Sequence, residues 1–439
     1  MKTTISLSGP QATGRILRLP LVSWVLLGFL STFTLFLVIP VFLDPSLTMQ
    51  FKAAIPTITP IAFDFRGILA LSSQWLHTGV PPLIIYPTFT LLFFSLFNFF
   101  TWEMGYQIFL VLIFLCFIAT TLILPAWMNQ AEAFSALGVL LLITGLLSYG
   151  LQFEMERGQW NLIAFTFCLM GVYLFHHHRK LRPLAYLLFS VSIQLKLFPA
   201  IFVFTLIEDF RDWRSNIRRF LALGLANILA LFILGIDPVL NSIRFLTAPD
   251  VNKQGIGVPH NHSITSFTLL VTSPDSLHPL LHNKLVEGWL ASHSWILQLI
   301  LFGVFVVCFA ALLWQEHRRN EHGFSPYVFL ACTIGACIIP SISFDYKLCI
   351  LPPALALLIP NIAEAQKSGD RLRVVLLMLL MSVAYSSTLY SFANKPAIVR
   401  NNFPALFILL LTCLAFSWMR STRQENGGLE PSTLEPGSS

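Results

Sequence analysis

Phe63-Asp64-Phe65-Arg66 sets a carboxylate between two aromatic rings in a chain where ionisable side chains are scarce. An acid held there, beside an apolar run, can take the proton of an incoming hydroxyl, the work of a general base. It can equally be a solvated loop acid. Other polar groups stand out from the oily background: Arg66; Tyr86, followed by Pro87; Gln159 and Asn161, within Arg157-Gly158-Gln159-Trp160-Asn161; Lys196, alone in a long apolar run; Asn261 and His262; and Asp345, Tyr346 and Lys347. A cation such as Lys196 could stabilise a phosphate leaving group, and Arg66 is a second candidate for that role. Asp345 is a second candidate base and could pair with Lys347. Each also has a plainer role: Lys196 could snorkel from a single span, and Gln159 and Asn161 could cap a helix start. His260 and His262 have no third ligand nearby and read as a solvated loop, while His176 to His178 beside Arg179 read as a headgroup contact. No Asp-x-Asp motif is present, and neither a metal nor a cofactor is expected.

The elements that must position these residues are helices in a bilayer. Hydrophobic residues make up 56% of the 439, charged residues only 11%, and mean hydropathy is +0.73. The apolar runs are continuous over roughly 20 residues and do not alternate, which excludes a membrane barrel and predicts an all-α, polytopic transmembrane bundle of about 10–12 spans, short or re-entrant ones included. The seven cysteines all fall inside apolar runs and act as small hydrophobes, without a disulfide framework. A net charge of +6 marks cytoplasmic loops and not nucleic-acid binding. Basic clusters at Arg15 to Arg18, Arg179 to Arg182, Arg211 to Arg219, Arg318-Arg319, Lys367 to Arg373 and Arg420 to Arg423 are assigned to the cytoplasm. Residues 1–20 then form a cytoplasmic N-terminus, 21–420 a single transmembrane domain with outer loops 44–82 and 237–293, and 421–439 a disordered cytoplasmic tail. Asp44-Pro45 reads as a helix stop.

Two stretches break the alternation of sides. Between Pro82 and His176 four apolar runs must make an odd number of crossings, so the shortest, 84–100, is read as a partly inserted outer element. Arg182 and Arg211 share a side, yet only 184–207 separates them. Lys196 and Pro199 interrupt that run, which predicts two half-length helices meeting around residues 194–199 and lining a cavity; the alternative is one full span. On this topology Gln159 and Asn161 face Asp64 outside.

Gly158-Gln159-x-Asn161 before a span, Lys196-x-x-Pro199 after a basic loop, Tyr86-Pro87 before an apolar run and an early outer-loop aspartate together resemble glycosyltransferase family 87 of the GT-C superfamily. The resemblance runs from about residue 20 to 420. It implies a multi-pass enzyme of the plasma (inner) membrane that transfers a hexose, in all expectation mannose, from a polyprenyl-phosphate sugar to a lipid or glycan acceptor at the outer face, with inversion. Asp64 would be the general base, and membrane lipids the remaining partners. The chain departs from the family pattern at Thr88, at Asn261-His262-Ser263 and at Phe344-Asp345-Tyr346-Lys347. A transporter or flippase of lipid-linked saccharides is the rival reading; paired repeats and midplane charges in both halves would favour it, and neither is visible.

Overall fold

The computed structural model describes residues 20–33, 61–84, 86–129, 135–209, 211–247, 257–258, 260–273, 288–289, 292–318, 324–358, 371–385 and 401–427. Asp44, the basic residues of the N-terminus and the segment 428–439 lie outside that set. Among the described residues all regular structure is helical. Two helices, Trp102–Met128 and Ser294–Glu316, are long and apolar enough to cross a bilayer alone; two bent pairs bring the number to four. Shorter apolar helices complete the bundle at Phe89–Phe99, Asn161–His177, Pro326–Ile338 and Phe403–Met419.

In chain order, α1 is Leu21–Phe33 and α2 is Phe63–Thr78, inside the segment expected to be an outer loop. Phe65, Ile68, Leu69 and Ser72 recur on one face of α2 and are the residues it buries. α3 (Phe89–Ser95) continues as a tighter turn to Phe99. At about 18 Å this element is too short to cross a hydrocarbon core of ~30 Å, which fits partial insertion. α4 is Trp102–Met128, with a π turn over Ala119–Ile123 just before Pro125, where the helix loses an N–H donor. α5 (Ala136–Leu146) and α6 (Tyr149–Arg157) meet at an angle of 53°.

α7 (Asn161–His177) and α8 (Arg182–Leu195) form an antiparallel pair. Gly171 allows the close approach, because a Cβ there would stand 2.9 Å from the Ala185 carbonyl oxygen. α8 stops at Lys196, whose backbone is extended, and a 3-10 stretch, Phe198–Leu206, follows with Pro199 in its first turn. That stretch leads back to where α8 began. Arg182 pairs with Glu208, Arg219 approaches the same carboxylate at 3.6 Å, and the His176 ring donates to the Thr205 carbonyl at 2.7 Å. Segment 182–208 is therefore a hairpin with both ends at the basic end of the bundle and Lys196 at its turn. Its rising limb of 14 residues is about 21 Å long, so Lys196 lies near the level of Trp160 and not halfway along the pair.

α9 (Trp213–Leu231) turns through 95° into Ile236–Thr247, here α10. α11 (Ile264–Thr272), α12 (Ser294–Arg318), α13 (Pro326–Ile338, buried from Tyr327 onward), α14 (Arg371–Tyr385) and α15 (Phe403–Gly427) follow. Glu316 ties three of them: Ser325 donates to it at 2.8 Å and Ser417 at 2.6 Å. α15 extends beyond residue 420 into the segment expected to be disordered, over a sequence without proline.

Candidate active site

Asp64 is the second residue of α2, and the residue after it is the anchor. Phe65 is fully buried among Phe94, Phe97, Tyr106 and Phe109, with ring centroids 5.0–5.8 Å away. The helix start is fixed further by the Ala62 N–H, which donates to the Glu156 carbonyl at 2.8 Å. Ala62 adopts a left-handed conformation (φ 60°), a strain of about 1 kcal/mol for a residue with a Cβ. The carboxylate is thereby presented to the C-terminal end of α6. Arg157 donates to it twice, Nε to Oδ2 at 2.8 Å and Nη2 to Oδ1 at 3.0 Å, and Gln159 Nε2 donates to Oδ2 at 2.7 Å. The Asp64 side chain remains 16% exposed.

Gln159 also faces the other way. Its Oε1 accepts from Lys196 Nζ at 2.7 Å, so the amide is oriented without ambiguity, nitrogen to the carboxylate and oxygen to the ammonium. The Lys196 ammonium lies 4.2 Å from the centre of the Tyr86 ring and 3.9 Å from that of Trp160. The turn bearing Lys196 is held by its neighbours: the Leu195 carbonyl, left open where α8 ends, accepts from Trp160 Nε1 at 2.9 Å and from Thr90 Oγ1 at 3.3 Å. Beneath, Glu154 is fully buried. It accepts from Asn161 Nδ2 at 2.6 Å and from the Leu162 N–H at 3.0 Å, so a carboxylate caps the N-terminus of α7. Asn161 thus braces Glu154 and caps no backbone itself.

Of the residues picked from the sequence, Asp64, Tyr86, Gln159, Asn161 and Lys196 form one connected group. Arg66 is not in it: exposed, it stacks on Trp102 at 4.4 Å. Asn261, His262 and Asp345 form a second group. Asn261 Nδ2 donates to the Ser341 carbonyl at 3.0 Å, and its Oδ1 accepts from the Ser263 and Ser343 N–H groups. The Asn402 N–H donates to His262 Nδ1 at 3.2 Å, which places the imidazole proton on Nε2, and Nε2 donates to Asp345. Burial pushes the Asp345 carboxyl up from its ordinary value, and the hydrogen bond from His262 opposes that rise. Asp345 pairs with His262 and not with Lys347, whose Nζ donates to the Ile342 carbonyl at 3.0 Å. His262 and Asp345 have no exposed surface, so this group joins segments. Tyr346 lies between the two groups, packed on Phe153 and Phe344 at 5.8 Å each. Lys347 is within electrostatic reach of Lys196.

A polar rim, a caged cation and an apolar helical body narrow the comparison to membrane enzymes. The profile of Glycosyltransferase family 87 matches residues 84–340, more than half of the chain. The chain belongs to glycosyltransferase family 87. It is an all-α, polytopic membrane glycosyltransferase of the GT-C type. No curated protein and no solved structure matches it. In this glycosyltransferase the matched stretch contains Tyr86, Gln159, Asn161, Lys196, Asn261 and His262; Asp64, Arg66 and residues 345–347 fall outside it.

Arg157, Glu154 and Trp160 escaped the reading of the glycosyltransferase's sequence as site residues. The local signal for Arg157 is its place directly before Gly158. Gly158 ends α6 at φ 68°, and a Cβ there would stand 2.5 Å from Phe65 Cβ. The left-handed turn lets residues 157 and 159 both reach Asp64 while α6 presses on α2. Gly158→Ala is expected to cost about 2–5 kcal/mol, summing the left-handed penalty and overpacking against Phe65. The measurement is the thermal midpoint in detergent together with transfer activity; a variant with the parent's midpoint and turnover would show that the contact is not needed.

Proposed function

We propose that this enzyme transfers a hexose, with mannose the first candidate, from a polyprenyl-phosphate sugar to a lipid or glycan acceptor at the outer face of the plasma membrane, inverting the anomeric centre. Asp64 is the general base and Lys196 the cation nearest the leaving phosphate. The observation that carries this reading is that both grip one side chain. Asp64 and Lys196 hold opposite ends of the Gln159 amide, which separates carboxylate oxygen and ammonium by no more than about 8 Å, two hydrogen bonds plus the width of an amide. Direct displacement needs that spacing: an acceptor hydroxyl on the base, the anomeric carbon beyond it at near-attack distance, and the phosphate on the far side. The basic cluster of Arg182 and Arg219 at the other end of the α7–α8 pair supports placing Asp64 outside.

Tyr86 and Trp160, whose rings face the Lys196 ammonium, and Tyr346 and Lys347, within electrostatic reach of Tyr86 and of Lys196 respectively, are assigned to substrate contact; Arg66, Asn161, Asn261, His262 and Asp345 are assigned to its surround. The test uses the full chain in proteoliposomes, with labelled polyprenyl-phosphate mannose and acceptor lipid supplied on one face. A covalent product of inverted configuration is expected. Product formed from a sugar nucleotide alone would overturn the donor class. Movement of the labelled lipid across the bilayer without covalent change would instead establish a flippase.

A further inference from the structure

We infer that Arg157 is a positioning residue for the transfer, setting which oxygen of Asp64 receives the acceptor's proton. The inference rests on the proposed role of Asp64 as base and adds a residue to it.

A carboxylate offers about four acceptor positions, two on each oxygen. In Asp64, Oδ2 has both filled, by Arg157 Nε and by Gln159 Nε2, and Oδ1 has one filled, by Arg157 Nη2. One position is left, and it is on Oδ1. The pair is held in plane from two directions, because the two parallel N–H bonds fix the guanidinium edge while the Phe63 ring covers its face at 4.8 Å. The backbone on both sides is also fixed: Phe65 is caged in aromatic rings, and the Gly158 turn points residues 157 and 159 at one carboxylate. The Asp64 and Arg157 side chains are 16% and 21% exposed, so the pair sits at the edge of the group and not in its buried part.

In the step this serves, the acceptor hydroxyl gives its proton to Oδ1 and its oxygen forms the new bond to the anomeric carbon. The bond from that carbon to the phosphate oxygen breaks, and the phosphate departs with the electron pair. Without the guanidinium only Gln159 holds the carboxylate, which can then turn about its Cβ–Cγ bond and carry the open acceptor position out of line with the incoming hydroxyl. The remaining N–H groups of Arg157 make no hydrogen bond among the described residues, which defines the competing role, a direct contact to the donor phosphate. The two roles differ in what they do to donor binding.

The experiment measures kcat, donor KM and the affinity for sugar-free polyprenyl phosphate in the full-length chain, for Arg157→Gln, Arg157→Lys and Phe63→Ala. Arg157→Gln should lower kcat on the order of 100-fold, as expected when a reacting group is misplaced by about 1 Å. Donor KM and polyprenyl phosphate affinity should stay within about threefold, which also reports an intact fold. Arg157→Lys, which restores the charge and one donor but no fork, should recover part of the loss, and Phe63→Ala should show a smaller loss of the same kind. Wild-type kcat in Arg157→Gln overturns the inference, and so does a loss that falls on donor KM and polyprenyl phosphate affinity, which would place Arg157 on the donor. A parent chain that binds polyprenyl phosphate yet transfers no sugar from it brings down the proposed transfer reaction, and this role with it, whereas a parent that transfers and an Arg157→Gln variant that matches it bring down this role alone.

Discussion

Asp64→Asn should abolish transfer while leaving the protein in the membrane and donor affinity nearly intact. A positioned general base contributes about 10²–10⁴-fold, and asparagine keeps the volume of aspartate while losing its charge. The structure adds a second reason. Three donors converge on this side chain, two from Arg157 and one from Gln159. An asparagine offers one oxygen and directs two N–H bonds at the other donors, so at least one hydrogen bond turns into a donor–donor contact. A stability loss of about 1–3 kcal/mol should accompany the change, the cost of an unmet partner. The assay is single-turnover transfer from labelled polyprenyl-phosphate sugar in membranes matched for protein content. Turnover within tenfold of the parent would reject Asp64 as the base, because the spacing argument through Gln159 would then have no reacting proton at one end.

What the sequence revealed and concealed at this site follows from the length scale of each interaction. The break at Lys196 was legible because its causes are local: an ammonium no bilayer tolerates unpartnered, and a proline three residues on. That segment 182–208 returns to its starting level followed from the basic residues on both sides of it, and the Arg182–Glu208 pair closes it. Arg66 shows where proximity in sequence misleads. Read as a loop, Asp64 and Arg66 could share a site; on the helix α2 they stand about 200° apart, and Arg66 faces Trp102. The spacing Phe65, Ile68, Leu69, Ser72 held the helical signal. Glu154 was invisible for a different reason. Its partners Asn161, Leu162 and Cys349 come from the next helix and from a segment nearly 200 residues away, and nothing around Glu154 distinguishes a buried cap from a solvated acid. The pairing of His262 with Asp345 is likewise set by tertiary contact: residues 345 and 347 are only two apart in sequence, but the 3-10 turn at Asp345–Ile350 sends their side chains to different partners.

Lys196→Met should separate function from stability, with transfer falling at least 100-fold while the thermal midpoint holds or rises. Lys196 is 7% exposed, and among the described residues its ammonium makes one hydrogen bond, to a neutral amide oxygen. Two ring faces return about 0.5–2 kcal/mol each way of the desolvation cost, against a penalty of several kcal/mol for burying a charge. Glu154 and Asp64 lie within electrostatic reach and lessen that penalty, but Lys347 adds to it, and neither carboxylate bonds to the ammonium. Methionine fills nearly the same volume, suits the space between Tyr86 and Trp160, and needs no water. On folding grounds alone the substitution is close to neutral or favourable, so a cation here is explained by what it does to a ligand. Removing a preorganised charge from a departing phosphate costs about 10²–10³-fold in rate. Lys196→Arg should retain part of the activity, since it keeps the charge but fits the two rings differently. The decisive measurement pairs the melting curve in detergent with kcat. If Lys196→Met transferred sugar at the parental rate, the lysine would be a snorkelling residue and the phosphate would have to be met elsewhere. If it unfolded the protein, its bond to Gln159 would be a structural tie between α8 and the start of α7.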